Sequence, residues 1–577
     1  MIARNGPNPG ALRRLGVVVG GSLSRGLDVR LDGSADASLE DVAVGSFVTI
    51  VGRRQRYFAV VTDLELRAVD DSVRHFPPGG STYGGAGDFA AEVMAGTLAY
   101  GQLSVMPSMT APLDSDAGIG AAISAEQAKT IPEHFAPVYA ASQADIDAVF
   151  SAQDTNAFAL GSPQGMEAAS IRLDLGTLAS RSVGVFGASG SGKTFLARML
   201  LAGLVKDGQA VSLVFDMESE YGWQGQDNDR RRQVKGLKQL FPSRVVTFTL
   251  DEESSRRRGV TPDGVVRIGY DEIEPADIEV LRDLLNLSEV AAATAWNLER
   301  HYGSGDWLRS FLALSGPDVG ELANEIGVNL AALQTLHRRL SAWSRFGFLA
   351  DKGEGRGSAG GIIENLQHGN HVVLEFGQYG RNTAAYVLVS NLLTRRIHET
   401  WVRRKELADG GQGDEPRPLV IFIEEAHKFL TPEVASQTIF GSIARELRKY
   451  NVTLMIVDQR PSGIDSEVMS QLGTRLSCAL NDDRDLNAVL MGARDAGQLR
   501  GVLSRLDSKQ QALVFGHAVP MPVVVRPRDY DESFYADMTL AGAPAAATAG
   551  IPSGASALPE TEAQRMQREI DELFPPE

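Results

Sequence analysis

Gly187-Ala188-Ser189-Gly190-Ser191-Gly192-Lys193-Thr194 is the stretch that decides the fold. It follows the apolar run Val183-Gly184-Val185-Phe186 and precedes a helical pattern over residues 195–204. A G-x-x-x-x-G-K-[ST] sequence in a strand-to-helix turn suits the phosphates of a nucleoside triphosphate. Its glycines let backbone N–H groups surround the phosphates, Lys193 reaches the outer phosphates, and the Thr194 hydroxyl binds Mg²⁺. All eight residues are therefore predicted to bind ATP and Mg²⁺.

Length and composition set the broad class of the protein. The chain has 577 residues, 43% of them hydrophobic, which is enough for about three to four globular domains. No apolar run reaches the roughly 18 residues of a membrane span and no signal-peptide pattern follows Met1, so we expect a cytoplasmic protein without membrane contact. The single cysteine, Cys478, excludes an internal disulfide and a cysteine-based zinc site, and its apolar neighbours predict a packing role.

The charge balance limits how the protein contacts nucleic acid. There are 56 Lys and Arg residues against 73 Asp and Glu residues, and the net charge of −17 argues against binding over the whole surface while allowing a local basic channel. Two clusters are candidates for such a channel: Arg230-Arg231-Arg232 with Lys235 and Lys238, and Arg256-Arg257-Arg258. The alternative is a solvated face whose cations pair with nearby acids, namely Asp227, Asp229, Glu252 and Glu253.

The first part of the chain predicts two segments. Residues 1–110 contain short β-type runs separated by Gly and Asp, which are typical of a small antiparallel barrel for assembly or partner binding. These runs are 16–19, 27–31, 47–51, 57–66 and 101–106. Residues 111–170 are rich in Ala, Ser, Asp and Pro and predict a connector with short helices.

From residue 171 onwards strands and helices alternate, which predicts a doubly wound α/β domain. Several predicted strands are continuous apolar runs, as expected for parallel strands covered on both faces. They are 183–186, 211–216, 245–250, 371–376, 419–424, 453–458, 476–480 and 512–515. The core of this domain is expected at residues 171–271 and 361–530.

Between the two parts of the core, at residues 272–360, strand patterns vanish and helical periodicity predicts an insertion. The predicted helices are 275–287, 290–301, 319–326 and 330–346. Residues 531–577 turn to Ala, Gly, Ser, Thr and Pro before a charged stretch, and predict a flexible tail that a neighbouring subunit braces.

Two adjacent carboxylates follow the predicted strand Leu419-Val420-Ile421-Phe422-Ile423. They lie at its carboxyl end, where ligands bind in open α/β sheets. We assign Glu424 to the Mg²⁺ ion through its water shell, and Glu425 to the general base that activates the attacking water. The alternative is a strand end that is merely solvated, which the phosphate loop elsewhere in the chain disfavours.

Four further residues are candidates near this site. Asp216 ends another strand, and either faces the nucleotide or caps the helix that follows. Gln459 follows the strand 453–458, where its amide can sense the γ-phosphate, and His427 is predicted to be a structural hydrogen-bonding residue. Arg181 and Arg448 can neutralise the outer phosphate, or lie on the surface without a role in the site.

Taken together, these segments resemble one family, the HerA-type hexameric DNA translocases of the HerA/FtsK group. Order and spacing carry the resemblance. The segments are Arg181, residues 187–194, Asp216-Met217-Glu218-Ser219-Glu220-Tyr221-Gly222, Ile423-Glu424-Glu425-Ala426-His427, Arg445-Glu446-Leu447-Arg448-Lys449-Tyr450 and Asp458-Gln459-Arg460-Pro461-Ser462.

The resemblance implies a RecA-like P-loop ATPase core with a helical insertion and an N-terminal antiparallel β-barrel. It further implies a hexameric ring that threads double-stranded DNA, works with a nuclease partner, and acts in DNA end processing or in defence against foreign DNA. Arg448 and Arg181 become candidate catalytic arginines that complete the site. The family commonly has Gly where this chain has Leu447, which weakens the assignment of Arg448.

Other functions fit the sequence less well. An ATP-gated scaffold that assembles an effector, with slow or no translocation, stays open as the alternative. A secretion or chromosome-segregation motor is disfavoured because we find no membrane anchor. Kinases and GTPases are disfavoured by the size of the core and by the absence of an N-K-x-D motif.

Overall fold

The computed structural model describes residues 13–32, 38–69, 99–113, 125–150, 157–227, 231–353, 358–432, 435, 438–508 and 510–539. Arg230 of the first basic cluster and most of the predicted tail, from residue 540 onwards, lie outside the described residues.

A closed antiparallel barrel forms the N-terminal region. Its strands are β1 (Arg14–Ser22), β2 (Gly26–Leu31), β3 (Phe47–Val51), β4 (Gln55–Ala68), β5 (Ala99–Pro112) and β7 (Pro137–Ala140), and a short strand β6 (Glu126–Gln127) is added outside β5. The ring runs β1-β7-β3-β4-β5-β2 and returns to β1 through the pairing of β2 with both β5 and β1. Apolar side chains that alternate along these strands fill the interior, including Val29, Ile50 and Leu103.

Strand β7 closes the barrel, although it lies in the segment 111–170 that we predicted as a connector. It pairs antiparallel with β1 on one side and β3 on the other, and Val138 points into the core, where it is completely buried. A strand of four residues shows too little alternation to stand out in the sequence. The barrel therefore extends to residue 140 rather than 110.

The second region is built on one sheet of twelve strands. Its strands are β8 (Phe158–Pro163), β9 (Ile171–Leu173), β10 (Val183–Phe186), β11 (Val211–Asp216), β14 (Val245–Thr249), β15 (Gly264–Val265), β18 (His371–Glu375), β19 (Leu419–Glu424), β20 (Val452–Asp458), β21 (Thr474–Ser477), β22 (Ala512–Gly516) and β23 (Val523–Pro527). Two small ribbons pair β12 (Gln224–Asp227) with β13 (Arg232–Lys235), and β16 (Ile268–Gly269) with β17 (Leu349–Ala350).

The order β15-β14-β18-β11-β19-β20-β10-β21-β22-β23-β8-β9 divides this sheet into two parts. Pairings from β15 to β21 are parallel, and those from β21 to β9 are antiparallel. All eight strands predicted from apolar runs are present with bounds that differ by a few residues at most. Strands β8, β9 and β23 were not predicted, and the first two again come from the predicted connector.

Seventeen α-helices occur in the described residues. They are α1 (Gln143–Phe150), α2 (Leu175–Ala179), α3 (Lys193–Asp207), α4 (Leu237–Leu240), α5 (Glu252–Arg257), α6 (Pro275–Val280), α7 (Glu289–Tyr302), α8 (Trp307–Leu312), α9 (Gly316–Glu325), α10 (Leu330–Ser341), α11 (Ala359–Gln367), α12 (Thr383–Asp409), α13 (Ile439–Glu446), α14 (Ser466–Gln471), α15 (Asp483–Leu490), α16 (Ala496–Leu503) and α17 (Glu532–Thr539). None of these described helices is both long enough and apolar enough to cross a bilayer.

Helices α6 to α10 follow one another between β16 and β17. Side-chain caps mark where they begin: the Ser288 hydroxyl accepts a hydrogen bond from Ala291 N at α7, and the Asn329 side chain accepts one from Ala332 N at α10. Helix α8 was not predicted, because its six residues span less than two turns. Its side chains Trp307 and Phe311 are nevertheless completely buried in the core of this segment.

Closure of the barrel by β7 predicts the effect of a charge at Val138. Val138→Asp places an unpaired carboxylate in an apolar interior, and should lower the free energy of unfolding by about 3 kcal/mol or more. Tyr139→Asp is the matched control, because Tyr139 alternates with Val138 and is only partly buried. Thermal melts of both variants test this, and equal melting temperatures would contradict the closed barrel.

Candidate functional site

The phosphate loop connects β10 to α3, as the sequence predicted. Gly190 and Gly192 have φ angles of +76° and +96°, a conformation that disfavours other residues. Two bonds anchor the start of the loop: Ala188 N donates to Ala479 O at 2.9 Å, and the Ser191 hydroxyl donates to Ala188 O at 2.8 Å. Cys478 lies buried beside the loop, so its predicted packing role is confirmed.

The free donors of the loop all belong to its second half. Among the described hydrogen bonds, none uses the backbone N–H of Gly190, Gly192 or Lys193. These groups stand at the amino terminus of a fifteen-residue helix, where the first N–H groups have no partner within the helix and the dipole favours an anion. The loop is therefore prepared to bind phosphate oxygens.

Glu424 ends β19 beside the phosphate loop. Its Oε1 accepts a hydrogen bond from the Tyr221 hydroxyl at 2.6 Å. Burial raises the pKa of Glu424 to about 8, the nearby charges of Asp216 and Glu220 add to the rise, and the Tyr221 bond and the positive charge of Lys193 oppose it. A carboxyl held in this state would become a strong ligand on losing its proton to a cation. Together with the Thr194 hydroxyl, it provides the hard oxygen donors that Mg²⁺ prefers.

Glu425 follows the strand in a left-handed backbone conformation, with φ 51° and ψ 48°. Such conformations are uncommon for residues other than glycine and cluster at functional sites. Its Oε1 accepts a hydrogen bond from Gln459 Nε2 at 3.2 Å, and its Oε2 lies 3.7 Å from His427 Nε2. The side chain is 29% exposed, so water can reach the carboxylate while two neighbours orient it.

His427 connects Glu425 to a buried acid at the end of the next strand. Its ring nitrogen Nδ1 lies 3.0 Å from Asp458 Oδ2, and its backbone N donates to the same oxygen at 2.8 Å. The bond to Asp458 raises the pKa of His427, and the charges of Asp458 and Glu425 act in the same direction despite partial burial. His427 thus makes the hydrogen bonds expected of a structural residue.

Asp216 does not face the nucleotide, which corrects its inclusion among the cofactor-binding residues. Its carboxylate is completely buried at the end of β11. Oδ1 accepts a bond from Glu220 N at 2.8 Å, and Oδ2 accepts bonds from Tyr221 N at 2.8 Å and Gly222 N at 3.1 Å. With its oxygens occupied by backbone donors, Asp216 caps the turn that carries Tyr221 towards Glu424.

The two candidate arginines lie away from the phosphate loop of their own chain. Arg181 precedes β10, at the opposite end of a strand that is about 13 Å long. It lines a cavity of about 810 Å³ together with the buried Arg475. Arg448 lies in the 3₁₀ turn Leu447–Tyr450 that leads into β20, and its side chain lies outside the described part of the chain.

The basic clusters are tied up in contacts within the chain. Lys235 Nζ lies 3.3 Å from Glu532, and Lys238 Nζ lies 3.0 Å from Asp263. Arg256 pairs with Glu252 at 3.1 Å, one helical turn away. Arg258 forms an ion pair with the buried Glu375. The solvated and paired alternative is therefore the one that these contacts support, rather than a DNA-binding channel.

Comparison with known proteins agrees with the arrangement of these motifs. Residues 158–397 match the family model described as the central domain of the helicase HerA. The chain belongs to the HerA family. The predicted resemblance is thereby confirmed, and with it the class of P-loop ATPase.

Two HerA relatives illustrate how far the similarity extends. The DNA double-strand break repair helicase HerA of Saccharolobus solfataricus is 25% identical over 362 residues, covering 62% of this chain and 65% of that protein. The protein of the same description from Pyrococcus furiosus is 23% identical over 419 residues, covering 63% and 68%. Among solved structures, VirB4 of Thermoanaerobacter pseudethanolicus has a TM-score of 0.44 and 12% identity, over 66% of this chain and 98% of that one.

Three residues of this HerA-type site were missed or left without a role by the sequence analysis. Tyr221 donates to Glu424, and Asp458 holds His427. Arg198, only 1% exposed, lies over the rings of Phe195, Tyr221 and Tyr530. An arginine within an otherwise apolar helix is the signal that points to Arg198, because an unpaired buried cation is costly.

The raised pKa of Glu424 predicts how stability depends on pH. Between the ordinary pKa of 4.5 and about 8 the unfolded chain releases this proton while the folded protein keeps it, so stability should fall as pH rises through this range. Glu424→Gln carries no titrating proton and should flatten the decline, which we expect to amount to a few kcal/mol.

Melting temperatures of Mg²⁺-free, nucleotide-free protein between pH 5 and pH 9 measure this effect. Glu375, whose pKa burial raises to about 7, titrates in both proteins, so only the difference between them reports on Glu424. Parallel curves for wild type and Glu424→Gln would contradict the assignment.

Proposed function

We propose that the protein is an ATP-driven motor that moves along double-stranded DNA as a translocase or helicase. The observation that carries the proposal is Glu425, held by Gln459 and His427 at the strand end beside the phosphate loop. Two relatives are described as helicases of DNA double-strand break repair, which supports DNA as the track.

The residues divide the hydrolysis between them. The N–H groups of the loop and Lys193 hold the phosphates of ATP, while Thr194 and Glu424 would hold Mg²⁺, which supplies positive charge to the phosphate oxygens. Glu425 accepts the proton of the water as its oxygen attacks the γ-phosphorus and the bond to the β-phosphate oxygen breaks. Gln459, bonded to Glu425, is placed to respond to the presence of the γ-phosphate.

We further propose that the motor is a ring, most simply a hexamer, in which the site is shared between subunits. Arg181 lies at the opposite end of β10 from its own phosphate loop, so it suits the nucleotide of a neighbour better than its own. Arg448 precedes β20 and is the second candidate. In this proposal the barrel binds other subunits or a nuclease partner, residues 272–360 form an insertion in the core, and the residues after 530 brace the next subunit.

Substitution of the general base should separate binding from hydrolysis. Glu425→Gln keeps the shape of the side chain but cannot accept a proton, so hydrolysis should fall about 100-fold or more while ATP still binds. Lys193→Ala should also lose hydrolysis, because the outer phosphates lose their principal side-chain charge. Phosphate release and ATP binding are measured with and without duplex DNA, and Glu364→Gln, on the exposed face of α11, is the matched control.

The same assay tests the motor against the scaffold. In the wild type, duplex DNA should raise the ATPase rate, and added salt should reverse the increase because phosphate contacts release counterions. A rate that duplex DNA leaves unchanged would favour the ATP-gated scaffold. Full turnover in Lys193→Ala would reject the nucleotide site itself.

The shared site predicts complementation between two inactive variants. An arginine supplied by a neighbour contributes about 10³-fold or more in rate, so Arg448→Ala should be nearly inactive. Mixed with Glu425→Gln subunits it should regain part of its activity, because some interfaces then join an intact base to an intact arginine. Lys449→Ala, one residue along the same turn, is the control. A monodisperse monomer with full activity would overturn the proposal.

A further inference from the structure

A second cavity opens directly beside the phosphate loop. Its volume is about 140 Å³, and its walls come from three parts of the chain: the loop, helix α3 and the segment around β23. Gly190 and Gly192 of the loop form one side, Phe195 of the helix the second, and Arg528 and Tyr530 the third. The cavity therefore begins where the phosphate-binding N–H groups end.

The size of the cavity limits what it can hold. A cavity of roughly 150 Å³ admits one benzene ring, whereas a site for a whole drug-sized ligand takes about 300 Å³ or more. The space suits a single flat ring system rather than a complete ligand. It also lies next to the phosphate site, so a molecule that occupies both would carry a phosphate chain at one end and a ring at the other.

The lining of the cavity suits an aromatic ring with polar edges. Phe195 is partly exposed to it, and its ring centroid lies 6.2 Å from that of the almost completely buried Tyr530. Met199 and Pro527 add apolar surface, and Gln510 and Gln511 bring side-chain amides to the rim. An aromatic face provides stacking, and amides provide donors and acceptors for the edge of a heterocycle.

Contacts within the chain hold these walls in place. The Tyr530 hydroxyl donates to Lys235 O at 2.9 Å, and Arg232 Nη2 donates to Tyr530 O at 3.2 Å. Gln511 Nε2 donates to Gln164 Oε1 at 2.8 Å, and Arg528 pairs with Asp537 at 2.5 Å. The cavity is thus built before a ligand arrives, which lowers the entropic cost of binding.

We propose that this cavity binds the purine base of the nucleotide, with Phe195 as the stacking surface. The inference rests on the proposed function, because the base enters only if the adjoining loop holds the phosphates of the same molecule. It gives Lys235 and Arg232 of the first basic cluster a structural role, that of fixing Tyr530 behind the base. It also joins the segment after β23 to the nucleotide.

The test compares a ligand that has a base with one that has none. ATP and inorganic tripolyphosphate share the phosphate chain, so wild-type protein should bind ATP more tightly than tripolyphosphate. Phe195→Ala should weaken ATP binding by about tenfold, as expected for loss of one stacking surface, and should leave tripolyphosphate binding unchanged. Phe346→Ala, which removes a partly buried ring far along the chain from the cavity, is the matched control.

The outcomes separate this inference from the proposed function. Failure of wild-type protein to bind either ligand would reject the nucleotide site altogether. Binding of ATP and tripolyphosphate with equal affinity, or an unchanged preference for ATP in Phe195→Ala, would reject the base site and leave the phosphate site standing.

Photolabelling of the wild type removes the dependence on a folded variant. With 8-azido-ATP as the probe, cross-linked peptides should contain residues of the cavity wall, those around Phe195 or Tyr530. Labelling confined to other peptides, and competed away by ATP, would overturn the base site.

Discussion

Parallel pairing of β10 with β20 on one side and β21 on the other is the constraint on which the site depends. In this register Phe186 lies opposite Asp458 and Ser477, so the phosphate loop begins where both neighbouring strands end. Backbone bonds then carry the loop across these strands: Gly187 N donates to Asp458 O and Ala188 N to Ala479 O. Because β19 is the next strand beyond β20, the same edge receives Glu424 and Glu425. The chemistry is collected by strand order, not by nearness in sequence.

Collecting carboxylates at one buried edge has an electrostatic cost, and each acid meets it differently. Asp216 is surrounded by backbone donors, Asp458 by His427 and the backbone N of Arg460, and Glu375 by Arg258. Glu424 has only the neutral Tyr221 hydroxyl as a hydrogen-bond partner among these contacts, which is why burial shifts its pKa so far. The acid with the weakest compensation is the one assigned to the cation. A site that awaits a positive charge should have this imbalance, because a fully compensated carboxylate would gain little from a metal.

The limits of sequence reasoning follow from what each pattern encodes. The eight apolar runs identified their strands because parallel strands covered on both faces leave an unbroken hydrophobic record. Strand β7 and helix α8 are too short to show periodicity, and their places depend on partners far along the chain. The phosphate loop and the acid pair were recognisable because local geometry determines their chemistry. The role of Asp216 was undecided for the opposite reason: only the folded turn shows that backbone N–H groups occupy its oxygens. Charge runs misled most, since their ionic partners, such as Glu532 for Lys235, are remote in sequence.

Arg198 explains how the nucleotide end of α3 is connected to the last strands of the core. Its guanidinium donates to Glu220 O at 3.0 Å and lies over the rings of Phe195 and Tyr530. It therefore contacts the phosphate-loop helix, the turn capped by Asp216 and the segment after β23 at the same time. A cation buried among aromatic rings is stabilised only while all of those rings stay in position. Movement of any one of the three elements would expose or misplace this charge, so the three are expected to move together when the contents of the site change. Such a linkage provides a physical route from the nucleotide to the C-terminal part of the chain, and it needs no residue that touches both.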